Sequence, residues 1–474
     1  MTDRVLYYFE EICKIPHPSH QEKAISDYLV AFAKEFGLEC YQDDVFNVVM
    51  IKEASAGCED KEPIMIQGHM DMVAEKEPGC TIDMEMMGLN LVYDGDFLKA
   101  DGTTLGADDG VAIAYALAIL ESDSIRHPRI EFVCTVSEEV GMDGARAIDL
   151  SMCKAKKLLN LDSEDEGVFL AGCAGGSIVR AGLPIERINV FGRIIGIEIS
   201  GLMGGHSGQE IDKYRANATL LMNRILTRIL EKADIAIVSM RGGSKDNAIP
   251  RQAIADFIIS DKNLDQVKEL IAEEIKDIKS EYAITDSAMA IEVIDRGTDS
   301  RMALSASEGR KLTGFINALP NGVIAMSSDI KGLVETSLNL GIAAVNAEEV
   351  ILCYCVRSNV DSAHDALVRR MQSIIKGYGG TFEEEGKYPA WQYRRESAFR
   401  DSMVAVYKEM YQKEPVVETI HAGVECGLLC EKIKGLDAVS IGPDLFDIHT
   451  PSERMSISSV KRVFEYVVRV LEEC

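Results

Sequence analysis

The chain lacks an excess of positive charge, a long apolar run and any C-x-x-C pair. Lys plus Arg number 50 against 77 Asp plus Glu, a net charge of −27. Such a surface is a poor partner for nucleic acid or an anionic membrane. Nothing approaches the ~20 successive apolar residues of a membrane-spanning helix. The start, MTDRVLYYFEEICKIPHPSH, carries acids inside its one apolar stretch and has no cleavage-type end, which implies a cytoplasmic protein. The 12 Cys mostly lie in apolar runs, so they read as reduced core thiols and not as disulfides or a thiolate zinc site. What is present is ordinary: 47% hydrophobic and 27% charged residues over 474 positions, enough for a large core and two or three domains.

Apolar spacing divides residues 1–36 into two helices around Pro16 and Pro18. Strand-like runs (VFNVVMIK, PIMIQG, RIEFVCTVS, KAKKLLNLD) then alternate with helical ones such as VAIAYALAILES. This order predicts an α/β domain with a mostly parallel sheet flanked by helices. After Pro184 the texture changes to alternating strands and amphipathic helices, in an order that recurs, and KYPAWQYRRES reads as a linker back. The expectation is a discontinuous catalytic domain, 1–185 and 388–474, with an inserted α+β domain of two related halves, 186–387.

Acid and His clusters follow the predicted strands, where open α/β sheets place ligands. In Gly68-His69-Met70-Asp71, residues two apart share a face of an extended chain, so Asp71 can hold one imidazole nitrogen while the other binds a metal. Asp108 and Asp109 open an apolar helix, where an Asp also serves as a cap. Glu138 and Glu139 are neighbours whose side chains diverge, which suits one ligand and one general base. Asp162 ends NLD, and His449 lies in DIHTPSER. Each cluster alone reads as a cap, a turn or a solvated loop. Together they supply two His, two Asp and a Glu as ligands, with a spare Glu and an orienting Asp. Hard carboxylates with imidazoles suit zinc, manganese or cobalt in a two-metal hydrolytic site.

GHMD, LGADDG, SEEVG, NLD, GGHSG and HTPSER stand in the order of the two-zinc peptidases that include aminoacylases, glutamate carboxypeptidases and bacterial dipeptidases, and the whole chain resembles that family. IPHPSHQE, DGTTLGAD, ALPNGV and VETSLNLG are similar to its branch acting on Xaa-His dipeptides. The resemblance implies two divalent ions, Zn2+ first and Mn2+ or Co2+ next. His69, Asp108 and Asp162 would hold one, and Asp108, Glu139 and His449 the other. Asp71 would orient His69, and Glu138 would be the base acting on a bridging hydroxide. It also implies a cis Asp108–Asp109 peptide and makes the inserted domain a lid. There His206 would steady the oxyanion, and Asn247 and Arg357 would hold the substrate's backbone and carboxylate; the doubling of the inserted domain predicts that His206 serves its own chain's site. His421 and Glu425 would lie near the substrate, Glu425 facing its amine. His206 by itself reads as a surface residue in a turn, and Arg357 equally as a strand-end ion pair. The implied activity is hydrolysis of small peptides by a monomer or homodimer. A broader dipeptidase or tripeptidase, or an N-acyl amino-acid hydrolase, shares the scaffold. A non-catalytic binding protein is the reading from another class.

Overall fold

The computed structural model describes residues 2–473. The chain forms two compact units, one of Met1–Cys173, Trp391–Thr419 and Val424–Cys474, the other of Ala174–Ala390 and Ile420–Gly423.

The first unit is built on an eight-stranded sheet. Its central strands, Ile130–Thr135, Ile64–His69, Lys157–Asn160 and Asp437–Ser440, pair in parallel in that order. The pairings of Val48–Lys52 with Ile130–Thr135 and with Glu39–Gln42, and of Val168–Cys173 with Asp437–Ser440, are antiparallel. Ile64–His69 and Ile130–Thr135 are buried throughout, which explains why they read as continuous apolar runs. The helix Ala107–Glu121 is apolar all round because it too is enclosed, with Tyr115, Leu117 and Ile119 fully buried. Gly68 permits its close approach: a Cβ there would stand 2.4 Å from Asp109 Oδ2 and 2.5 Å from Ala112 Cβ. A small four-stranded sheet, absent from the sequence reading, joins Leu91–Asp94 and Phe97–Ala100 to Leu445–Phe446 and Arg454–Ser456. The loop carrying His449 lies between the last two of these strands.

The second unit has a nine-stranded sheet made of two similar halves. In one half the chain order is strand Arg187–Ser200, helix Ala218–Leu230, strands Ala236–Gly242 and Ala253–Ile259, helix Leu264–Glu281, strand Ala290–Leu304. The spatial order is second, third, first, fourth, all antiparallel. This is the split β-α-β arrangement. In the other half the strands are Gly175–Pro184, Val334–Val345, Glu349–Ser358 and Thr381–Tyr388, with helices Ala306–Ala318 and Asp361–Gly377. They pair in the same second, third, first, fourth order. The two second strands join the halves, Arg241 opposite Ala344 and Gly242 opposite Ala343. Gly175–Pro184, assigned by sequence to the catalytic domain, is thus a strand of the second unit. Its partners lie more than a hundred residues downstream, so no local pattern shows the pairing. One apolar core, with Ile225, Phe257, Phe315 and Leu352, runs through both halves.

Candidate active site

In the first unit, His69, Glu139 and Asp162, at or just beyond the carboxyl ends of three parallel strands, meet Asp108 from the start of the helix Ala107–Glu121 and His449 from the loop of the small sheet. His69 Nε2 lies 3.1 Å from Asp108 Oδ1 and 3.5 Å from Asp162 Oδ1. His449 Nε2 lies 3.1 Å from Asp108 Oδ2 and 2.9 Å from Glu139 Oε1. The two oxygens of Asp108 are therefore divided between two imidazoles. Donor atoms of His69, Glu138 and Glu139 fall within 4.8 Å of one another, as do those of Asp108, Glu139 and His449, and of His69, Asp109 and Asp162. Glu139 Oε1 is buried and, though close to His449, has no partner with hydrogen-bond geometry. A buried carboxylate oxygen left without a partner beside these imidazoles fits a shared cation, and the mixed carboxylate and imidazole set suits a divalent one. The Asp108–Asp109 peptide is cis.

The electrostatics describe the same cluster. Burial pushes Glu138 well above the usual carboxylate range, with Asp162, Glu425 and Glu139 adding to it against His69. Burial also raises Asp162, to about 6, although His69 opposes it. The hydrogen bond to Asp108 and the Glu139 carboxylate beside it raise His449 to about 11. For His69, burial favours the neutral ring, but Asp108, Asp162 and Asp71 together outweigh it and raise the group well above its ordinary value. So many carboxylates competing for two imidazolium protons mark a site deficient in positive charge, which bound cations would supply.

Asp71 has more to do than its spacing from His69 suggests. The nearest acceptor to His69 Nδ1 is the main-chain oxygen of Asp71, at 2.9 Å, with the carboxylate at 3.4 Å. Nδ1 donates there, which leaves the Nε2 lone pair for the cluster. The Asp71 carboxylate instead accepts the N–H groups of Glu138 (2.9 Å) and Glu139 (3.3 Å) and the Ser19 hydroxyl (2.8 Å). Asp109 accepts the His69 N–H at 3.2 Å.

Glu425 is fully buried, with no surface for a substrate. It accepts from Gln67 Nε2 at 2.5 Å and Thr135 Oγ1 at 2.6 Å, and Gln67 Oε1 accepts from Asn160 at 2.6 Å. Gln67 and Asn160 stand two residues before His69 and Asp162, on the same strand faces. Glu425 thus belongs to a polar layer beneath the ligands, and burial raises it to about 8. Sequence reasoning passed over Gln67 and Thr135 and gave Asn160, within NLD, no role of its own. A polar residue two positions before a predicted ligand, inside an apolar strand, is the signal for Gln67 and Asn160; Thr135 has no such spacing.

The second unit assembles the other four predicted residues. Short strands Gly205–His206 and Ala248–Ile249 pair, and Ser207 N–H donates to Asn247 O at 2.9 Å. His206 Nδ1 accepts from the N–H groups of Gly208 (3.3 Å) and Gln209 (3.1 Å), so the neutral ring carries its proton on Nε2. Burial, and then Arg357, lower His206 to about 4. Its Nε2 lies 3.5 Å from Arg357 Nη2, and Arg357 Nη1 donates to Tyr388 Oη at 3.0 Å. Two donors side by side call for a common acceptor. His421 is buried with both nitrogens engaged, by Ser337 Oγ at 2.7 Å and Asn359 Oδ1 at 2.9 Å. Its main-chain oxygen would be 2.2 Å from a Cβ at Gly208, so the loop packs against glycine by necessity.

Fold and cluster agree with the comparison to known proteins: a model of peptidase family M20/M25/M40 matches residues 65–473, and the chain belongs to that family of metallopeptidases. It is 36% identical to the cytosol non-specific dipeptidase of Escherichia coli (strain K12) over 98% of this chain and 96% of that one. It also superposes on the aminoacylhistidine dipeptidase of Vibrio alginolyticus with a TM-score of 0.91 and 34% identity, covering 99% of this chain and 96% of that one. A tripeptidase of Staphylococcus aureus shares the fold, with a TM-score of 0.59 and 17% identity over 100% of this chain and 98% of the other. Among the described residues no helix is long and apolar enough to cross a membrane.

Proposed function

We propose that the chain is a cytoplasmic, metal-dependent dipeptidase that hydrolyses Xaa-His bonds of the β-alanyl-histidine type. The observation that carries this reading is the division of the Asp108 carboxylate between His69 and His449. It is the arrangement expected of a ligand shared by two metals. His69 and Asp162 would complete one site, Glu139 and His449 the other. Two divalent ions held there would polarise the scissile carbonyl and make a water nucleophilic at neutral pH. Glu138 would be the base that takes a proton from the attacking water and delivers it to the leaving amine; its raised affinity for protons suits both halves of the task. Asp71 holds the peptide that carries Glu138. His206, neutral and donating through Nε2, would steady the substrate's developing oxyanion, and Arg357, a planar fork of donors, would hold its terminal carboxylate. Asn247 would hold the substrate backbone, His421 sets the loop around Arg357, and Glu425 acts beneath the ligands.

The test is a panel assayed on metal-stripped protein with and without zinc, manganese or cobalt: β-alanyl-histidine, other Xaa-His dipeptides, dipeptides without His, a tripeptide and N-acetyl amino acids. Turnover is expected only with metal and fastest on Xaa-His. Full turnover by chelated protein would sink the two-metal reading, and faster hydrolysis of N-acetyl amino acids would replace the substrate assignment. Glu138→Ala should retain its metals and lose roughly 10²–10⁴ in turnover. Glu139→Ala should lose metal; the reverse pattern would exchange the two roles.

A further inference from the structure

The N-terminal segment IPHPSHQE has no part in the chemistry above, yet it reaches the catalytic turn. Met72 N–H donates to His17 O at 3.2 Å, and Ser19 Oγ donates to Asp71 Oδ2 at 2.8 Å. Glu22, 4% exposed, precedes the helix Lys23–Glu35 but makes no side-chain cap to it. Its Oε1 turns instead to Ser137, accepting the N–H at 3.0 Å and the hydroxyl at 2.8 Å, together with the His20 N–H at 2.9 Å. Ser137 has φ 54°, a left-handed conformation uncommon for a residue other than glycine, and it directly precedes Glu138. The next two N–H groups, of Glu138 and Glu139, go to Asp71. Three successive amides are thus held by two buried carboxylates from distant parts of the chain. One of them, Asp71, is next to a ligand. The other, Glu22, is not close to any predicted ligand in sequence; among the described residues its carboxylate accepts, besides the His20 N–H, only from Ser137.

We propose that Glu22 is a positioning residue for the general base: by fixing Ser137 in its left-handed turn it sets the direction of Glu138. The inference rests on Glu138 being the base. Reacting groups need placement to within about 1 Å, and a misplacement of that size costs roughly 10²-fold. Glu22→Ala should therefore lower kcat by roughly tenfold to a hundredfold at unchanged metal content, with KM altered less than twofold. Glu22→Gln keeps an acceptor oxygen for the three donors and should stay within about threefold of the parent.

The decisive measurement is a double-mutant cycle. If Glu22 acts through Glu138, adding Glu22→Ala to Glu138→Ala should cost nothing further, whereas a general effect on the fold would lower both backgrounds alike. A kcat for Glu22→Ala within twofold of the parent, or an equal loss in both backgrounds, overturns the proposal. Should Glu22→Ala not fold, Ser137→Ala removes only the hydroxyl link; a loss of about three- to tenfold is expected, and an unchanged kcat overturns the proposal as well. If Glu138→Ala itself retains turnover, the base assignment fails, an outcome distinct from failure of Glu22.

Discussion

Residue types were placed by their neighbours more than by their own chemistry. His449 and His421 are both imidazoles, yet carboxylates raise the first to about 11 and burial, with Arg357 and His206 nearby, lowers the second to about 3. His421 has spent both nitrogens on Ser337 and Asn359 and stays neutral. Its folded value lies below the ordinary 6.5, so between about 6.5 and about 3 the unfolded chain binds the proton that the folded chain refuses. Its contribution to stability is therefore intact above pH ~6.5 and is lost as pH falls toward its folded value. An NMR titration of the imidazole should show no protonation of His421 down to about pH 4. Protonation of His421 near pH 6 would refute this.

Among elements, the turn 105–108 depends on a single distant side chain. Glu453, 2% exposed, accepts from the N–H groups of Leu105 (2.7 Å), Gly106 (3.1 Å) and Ala107 (2.8 Å), and Asp108 N–H lies 3.5 Å away. It thereby supplies acceptors at the start of the helix Ala107–Glu121, where amides have no partner within the helix. It also ties the segment carrying His449 to the one carrying Asp108. Glu453→Ala would strand these donors, at about 1–3 kcal/mol for each buried amide left unpaired. We expect a lowered melting temperature, faster hydrogen exchange at 105–107 and a metal affinity reduced by roughly 10–100-fold. Unchanged metal affinity under equilibrium dialysis would show that the ligands keep their places without it.

At the scale of the whole molecule, each unit has a core of its own. Phe9, Leu117 and Phe464 belong to the first, and Ile225, Phe257 and Phe315 to the second. The predicted metal ligands all belong to the first unit. Binding stabilises only the folded part that binds. Calorimetry should therefore resolve two transitions, and zinc should raise only one of them. Phe257→Ala, which empties a fully buried site, should destabilise the other by about 3–5 kcal/mol. A single transition that moves as a whole with metal would contradict the separation.

The sequence by itself determined the alternation of strand and helix, the positions of the acid and His clusters and the recurrence of element order in the second unit. These are local patterns: an apolar run, a residue two places along a strand, a Gly-rich turn. His69, Asp108, Glu139, Asp162 and His449 were legible because each follows its own strand or opens its own helix. Tertiary structure alone decided that Gly175–Pro184 pairs within the second unit, that the Asp71 carboxylate grips the Glu138 peptide, and that Glu425 is buried beneath the ligands. It also decided that Glu22 meets Ser137 and Glu453 meets the 105–108 turn, over separations of 115 and 345 to 348 residues. A hydrogen bond depends on two groups meeting at about 3 Å with the right direction. Spacing along the chain specifies that geometry inside a helix or between neighbouring positions on a strand, but not between segments brought together only when the sheets assemble.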